Sequence, residues 1–135
     1  MRFLKHTIGA LCLTSGFAMA EPFQEVTIGV PVASIVEAEA WYLQLLGSDV
    51  EVLRPYPGVV EFKAAPGMWL QIFETDDQQT SGTVIRFLVE DIAETQTQHA
   101  DVGLQSGEAI EVPNVVTFSE FSDPDGNALG LYDLP

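Results

Sequence analysis

The sequence is short of the residues that do most protein chemistry. It has one cysteine, Cys12, two histidines, His6 and His99, and five lysines and arginines against 20 aspartates and glutamates. The N-terminal segment accounts for much of that small stock. Arg2 and Lys5 open it, Ile8 to Phe17 is an apolar run broken by polar residues, and Ala18-Met19-Ala20 has the small-x-small pattern of a cleavage site. Residues 1–20 therefore predict a secretory signal peptide, too short for a comfortable membrane span. Leu11 precedes Cys12 where a lipid-anchor signal needs a small residue, so the expected product is soluble and exported, periplasmic or secreted. With the leader gone, no cysteine remains for a disulfide, a thiol nucleophile or a metal ligand. His99 is then the only imidazole, which excludes most zinc-enzyme and serine-hydrolase schemes, since each needs a histidine in a defined role.

Positive charge is equally scarce. Arg54, Lys63 and Arg86 are left against all 20 carboxylates, a net charge of −17 for residues 21–135 (3 − 20). Such a field repels nucleic acid and anionic lipid, so neither nucleic acid nor a membrane is an expected partner. The acidity reads first as a solubility or salt adaptation of the surface, ahead of a specific cationic partner. No Ser/Gly-rich linker, low-complexity tract or second apolar stretch of membrane length is present. About 115 residues suit one compact domain, 21–135, with one core.

What is present is a duplication. Asp123-Pro124-Asp125-Gly126-Asn127 is a sharp turn that runs straight into an apolar strand. Pro66 to Glu74 matches Asp125 to Asp133 at a shift of 59, and Val32, Ile35 and Glu37 match Val89, Ile92 and Glu94 at a shift of 57. Two copies of one unit, about 21–76 and 83–135, are the organising fact. In the first, Val26 to Val32 reads as a strand and Ser34 with Glu37 as a capping box. Ile35, Ala38, Trp41, Tyr42 and Leu45 then form one helical face, which Gly47 ends. Strands are expected near Val50–Arg54, Val59–Ala64 and Met68–Phe73, broken by turns at Pro55/Pro57-Gly58 and Pro66-Gly67. The second copy repeats the order: a strand at Thr83–Val89, a helix capped by Asp91 and stopped at Gly103, then strands near Glu108–Val112, Val115–Phe121 and Ala128–Tyr132. The polar stretch Asp76 to Gly82 joins the copies.

This order, βαβββ twice over, resembles the vicinal oxygen chelate superfamily, which includes glyoxalase I, extradiol dioxygenases and bleomycin-resistance binding proteins. The resemblance rests on the openings at Val26 to Gly47 and Val84 to Gly103 and on the Asp-Pro-Asp-Gly-Asn turn, and it spans residues 21–135. It implies an α+β domain whose two βαβββ modules form a curved mixed sheet around a central cleft, with the helices outside. It also implies that enzymes of the group would place metal ligands at Thr27, Gln71, Val84 and Gly130. Two of these offer no donor, one is a hydroxyl and one a neutral amide, whereas a tight catalytic site wants three or four His or carboxylate ligands. No metal or other cofactor is therefore expected.

Period-two alternation then names the residues sharing the cleft face: Thr27, Trp69, Gln71, Phe73, Arg86 and Tyr132, with Gly29 and Gly130 leaving room. Aromatic walls, a few polar groups and one charge are the make-up of a small-molecule pocket. Each residue also has a plainer role. Trp69 and Phe73 suit a core, and Tyr132 could simply reach water. Arg86 could pair with Glu74 or Glu120. His99 matches Tyr42 on a helix and suits a satisfied or exposed surface histidine. Asp123 and Asp125 would bond their own turn, with Gly126 left-handed. The reading that follows is an exported protein binding a small aromatic or carboxylated molecule in a metal-free cleft, as a monomer or homodimer. Catalysis is disfavoured because no histidine or carboxylate is placed in the cleft to move protons. The alternatives are a lyase, isomerase or dioxygenase with atypical metal ligands, and a protein-interaction module.

Overall fold

Alternating burial makes the strands. In β1 (Val26–Val32) Val30 and Val32 are buried while Thr27 and Gly29 are exposed, so one face meets the core and the other does not. A computed structural model describes residues 23–77 and 82–135. The leader expected over 1–20 and the middle of the polar connection lie outside the described residues. After β1 come α1 (Ile35–Leu46), β2 (Val52–Tyr56), β3 (Val59–Ala65) and β4 (Met68–Glu74). The second copy supplies β5 (Val84–Leu88), α2 (Ile92–Asp101), β6 (Ile110–Val112), β7 (Val116–Ser122) and β8 (Ala128–Asp133). The order is βαβββ twice, as the duplication predicts. Hydrogen bonding divides the strands into two four-stranded mixed sheets, β1-β4-β3-β2 and β5-β8-β7-β6. Each has one parallel pair, β1 with β4 and β5 with β8.

The caps are duplicated as well. Ser34 Oγ accepts from the Glu37 amide at 3.4 Å, and Asp91 Oδ1 accepts from the Glu94 amide at 2.9 Å. The first helical amides, on Ile35 and Ile92, donate to Glu74 Oε2 and Asp133 Oδ2 at 2.8 and 2.9 Å. These carboxylates end the last strand of each module, 59 residues apart. Each sheet thus fastens the N-terminus of its own helix, where unpaired amides and the helix dipole favour negative charge. Gly47, at φ +94°, ends α1. Pro55 departs from expectation: it sits inside β2 rather than in the turn that follows the strand. β2 is an edge strand whose register slips between Leu53 and Tyr56, and an edge with a bulge tolerates the missing amide.

One core joins the two modules. Val30, Val32, Ala38, Tyr42, Val60, Phe62, Leu70 and Ile72 pack with Leu129 of the second sheet, and Ile85, Phe87 and Phe121 lie against them. Helix α1 touches both sheets, since Tyr42 stacks on Phe62 at 5.9 Å and Trp41 meets Phe121 at 6.4 Å. The Asp123–Asn127 turn fastens this contact. Asp123 Oδ1 accepts from the amides of Asp125 and Asn127, as a turn aspartate should. Its Oδ2 accepts from the Asn127 side chain and, at 2.8 Å, from the buried Tyr42 hydroxyl. Burial, reinforced by the Asp123 charge, raises the Tyr42 pKa far above the ordinary phenol value, so the hydroxyl stays a donor. Asn127 also donates to the Pro31 carbonyl, and Asp125 accepts from the Ala33 amide. The turn does hold itself together, and it also clasps the first module.

His99 is neither exposed nor satisfied, contrary to expectation. It is 7% exposed, with its ring edge-on to Phe121 at 5.8 Å. Nδ1 is buried without a partner among the described residues. The helix face it shares with the Tyr42 position packs on β7 and β8, the strands of its own module.

Candidate binding site

Because the helix-side faces of both sheets share one core, the residues assigned to the cleft lie on the opposite faces. On the first sheet, strand register sets them in rows: Thr27–Trp69–Lys63, Gly29–Gln71–Glu61 and Pro31–Phe73–Val59. Trp69 is 8% exposed, and Lys63 Nζ stands 5.7 Å from its ring centroid. Lys63 also pairs with Glu51 at 3.5 Å. Gln71 Nε2 donates to Glu61 Oε1 at 2.6 Å. The Phe73 ring covers Gly29, 3.4 Å from where a Cβ would stand. Rings fill this face.

The second sheet presents the rows Arg86–Gly130–Glu120 and Leu88–Tyr132–Phe118–Ile110. Arg86 and Glu120 form an ion pair across β8. Gly130 makes that reach possible, because a Cβ there would stand 3.1 Å from Arg86 Cγ and 2.9 Å from the Ser119 carbonyl oxygen. Beside the pair lies a cavity of about 310 Å³ lined by Arg86, Val116, Phe118 and Tyr132. Leu88 and Ile110, at either end of the aromatic row, are 58% and 51% exposed. A separate groove of about 340 Å³ runs along the seam of the modules, where Thr27, Gly29 and Pro31 meet Thr83, Ile85, Asn127 and Ala128.

The six sequence-derived residues thus fall into two sets. Thr27, Trp69, Gln71 and Phe73 share the first sheet's face, and Arg86 and Tyr132 share the second's. The cavity beside Arg86 and Tyr132 is lined by none of the first set. Of the two partners considered for Arg86, the one it pairs with is Glu120. Sequence reasoning missed Glu61, Lys63 and Phe118 and named Glu120 only as a possible partner of Arg86; all four share these faces, which are therefore not without carboxylates. The signal was available: Glu61 and Glu120 are 59 residues apart, the same shift that relates the final strands. Alternation along β3 and β7, as along the first and last strands, places them there.

The donor set does not suit a divalent transition metal. Thr27, Gln71, Val84 and Gly130 supply one hydroxyl and one amide, and the amide nitrogen of Gln71 is engaged with Glu61. Among the described residues no three His, Cys, Asp or Glu side chains cluster in a way that could hold an ion. No helix among them is long and apolar enough to cross a membrane.

No protein-family model matches the sequence, and no curated protein matches it. Solved structures do match in fold. A glyoxalase/bleomycin resistance protein from Catenulispora acidiphila superposes with a TM-score of 0.71 at 23% identity, covering 82% of this chain and 98% of its own. An antibiotic-binding protein from Streptomyces gives 0.67 at 20% identity, over 89% of this chain and 100% of its own. A lactoylglutathione lyase from Agrobacterium tumefaciens gives 0.65 at 19% identity, over 84% and 96%. At these identities the likeness is one of fold. That fold is the one the duplicated openings imply, and it serves binding proteins and enzymes alike.

Proposed function

We propose that this chain, which has the vicinal oxygen chelate fold, is a small-molecule-binding protein that holds an aromatic ligand on the cleft face of its second sheet without a metal. The carrying observation is the cavity of about 310 Å³ walled by Val116, Phe118 and Tyr132 with Arg86 at its polar end. Its size and its mix of aromatic wall and single polar anchor suit a ring compound with one polar substituent. The antibiotic-binding protein among the structural neighbours supports the binding class by analogy of fold.

A homodimer completes the reading. The rim residues Leu88 and Ile110 are exposed, and the rings of Trp69 and Phe73 lie on the opposite side of the shared core. A second copy placing its first sheet over this cavity would enclose a ligand between two aromatic faces. Export after Ala20, to a periplasmic or secreted location, belongs to the same proposal and is checked by the N-terminal sequence of the mature protein. A second reading, proton-transfer catalysis, draws support only from the Glu61 carboxylate held by Gln71.

The test uses mature protein stripped with a chelator and titrated with naphthalene-2-carboxamide while backbone resonances are followed. Shifts should centre on Phe118, Gly130 and Tyr132 and persist in the chelator. Shifts confined to other surfaces, or binding that appears only on adding Zn²⁺ or Ni²⁺, would overturn the assignment.

A further inference from the structure

Arg86 stands at the polar end of the cavity, yet its charge is already matched. We propose that Glu120 is a built-in counter-ion that makes the site select uncharged hydrogen-bonding aromatics, amides above all, and discriminate against the corresponding carboxylates. The inference deepens the proposed binding function and rests on it for the location of the ligand.

Three observations carry it. First, Arg86 and Glu120 lie in one cross-strand row on either side of Gly130 and are joined by an ion pair. Second, Gly130 has no substitute here: a Cβ would meet Arg86 Cγ at 3.1 Å and the Ser119 carbonyl at 2.9 Å, so the bare backbone is what lets the guanidinium lie across β8. Third, the pair is partly exposed, with side chains 42% and 51% accessible. Such a pair adds little to folding, but it competes well with a ligand. Glu120 is tethered two strands away from Arg86, so its carboxylate acts at the high effective concentration of an intramolecular group. A ligand carboxylate must displace it, which leaves Glu120 unpaired and adds one negative charge to a protein already at −17 for residues 21–135 (3 − 20). An amide needs no displacement. Its carbonyl oxygen can accept from a guanidinium N–H left free by the pair, and its N–H₂ can donate to Glu120.

The experiment compares naphthalene-2-carboxamide with naphthalene-2-carboxylate, nearly identical in shape, on wild type and Glu120→Gln. Wild type should bind the amide more tightly by about tenfold, the weight of one charge-assisted contact. Glu120→Gln should gain about tenfold for the carboxylate and lose several-fold for the amide, whose N–H₂ then donates to a neutral oxygen. An unchanged amide-to-carboxylate ratio between the two proteins would overturn the proposal. A second readout does not depend on aromatic binding. Inorganic sulfate titrated against the Arg86 Nε–H resonance should move it in Glu120→Gln and leave it in place in wild type. Equal responses in both proteins sink the counter-ion role. If neither naphthalene compound binds either protein, the aromatic-site reading fails, and the sulfate titration still decides whether Glu120 holds Arg86.

Discussion

The two sheets are copies with different occupants at matching positions. In the first, the central row is Gly29–Gln71–Glu61; in the second it is Arg86–Gly130–Glu120. The carboxylate keeps its place on the third strand of each module, while the nitrogen donor and the glycine have exchanged strands. Gln71 reaches Glu61 from the adjacent strand at 2.6 Å, and Arg86 reaches Glu120 from two strands away over a bare glycine. Side-chain volume on the last strand follows the same division. Trp69, Gln71 and Phe73 stand where the second copy has Ala128, Gly130 and Tyr132. The first face is therefore filled by its own rings, and the second keeps a cavity. One backbone, duplicated, yields a ring-filled face and a cavity-bearing face, with Trp69 and Gln71 giving way to Ala128 and Gly130 on the last strand and Gly29 to Arg86 on the first.

The turns differ as much as the rows, and here the largest effect is expected. At the shift of 59, Asp123 corresponds to Ala64, so Asp123→Ala gives the second turn the chemistry of the first. It removes the acceptor for the buried Tyr42 hydroxyl, the Asn127 side chain and two turn amides. A loss of about 3 kcal/mol is expected in a urea unfolding series, since buried donors left unpaired cost about 1–3 kcal/mol each and water repairs the exposed ones. A loss below about 1 kcal/mol would show that the clasp is incidental to how the modules pack.

Gly130→Gln makes the second row resemble the first. Overlap with the Ser119 carbonyl and with Arg86 should cost about 1–3 kcal/mol by overpacking and should abolish naphthalene-2-carboxamide binding. Undiminished affinity would mean that the cavity does not depend on the missing side chain. The reverse change, Gln71→Gly, takes away the donor to partly buried Glu61. It should cost about 1 kcal/mol, read as a lower urea midpoint, and should not create amide binding on the first face while Trp69 and Phe73 remain.

The parts of this picture that could be read in the sequence were those carried by repetition and period. Ser34 and Asp91 as caps, Gly47 as a stop and the βαβββ order all follow from local chemistry that acts within a few residues. Alternation likewise grouped Thr27, Trp69, Gln71 and Phe73 on one face of the first sheet and Arg86 and Tyr132 on one face of the second, as the strand register has them. What it could not supply was which face of one sheet meets which face of the other. That depends on α1 packing against both sheets and on the Tyr42–Asp123 bond, a contact across 81 residues. For the same reason the six fell into two sets. His99 is buried by a nearer contact, its ring lying against Phe121 of its own sheet. Pro55 misled for a different reason, since a proline breaks an interior strand and is tolerated at an edge, and edge position is a tertiary fact.

The smallest effect separates Tyr42 from His99, the paired positions on the two helices. Tyr42 is buried with its hydroxyl matched by Asp123, whereas His99 is buried with Nδ1 unmatched. Burial pushes the His99 pKa below the ordinary imidazole value. In the unfolded chain the imidazole takes up a proton near pH 6.5, while in the folded protein it resists until a lower pH. Between those two points the unfolded state binds more protons, so stability rises with pH there. The contribution is complete above the unfolded pKa and is lost as pH falls from about 6.5 toward the folded value. His99→Phe keeps a ring against Phe121 and removes both the unmatched nitrogen and the titration. At pH 7.5 the variant should equal or exceed wild type by less than about 1 kcal/mol, since replacing an unsatisfied polar group by an apolar one of similar shape is near neutral. At pH 5.5 its advantage should grow, because only wild type must hold a neutral imidazole against protonation. The carboxylates titrate in both proteins and drop out of the difference. A wild-type-minus-variant difference that stays flat from pH 7.5 to 5.5 would place His99 in contact with water and remove the contrast between the two helices.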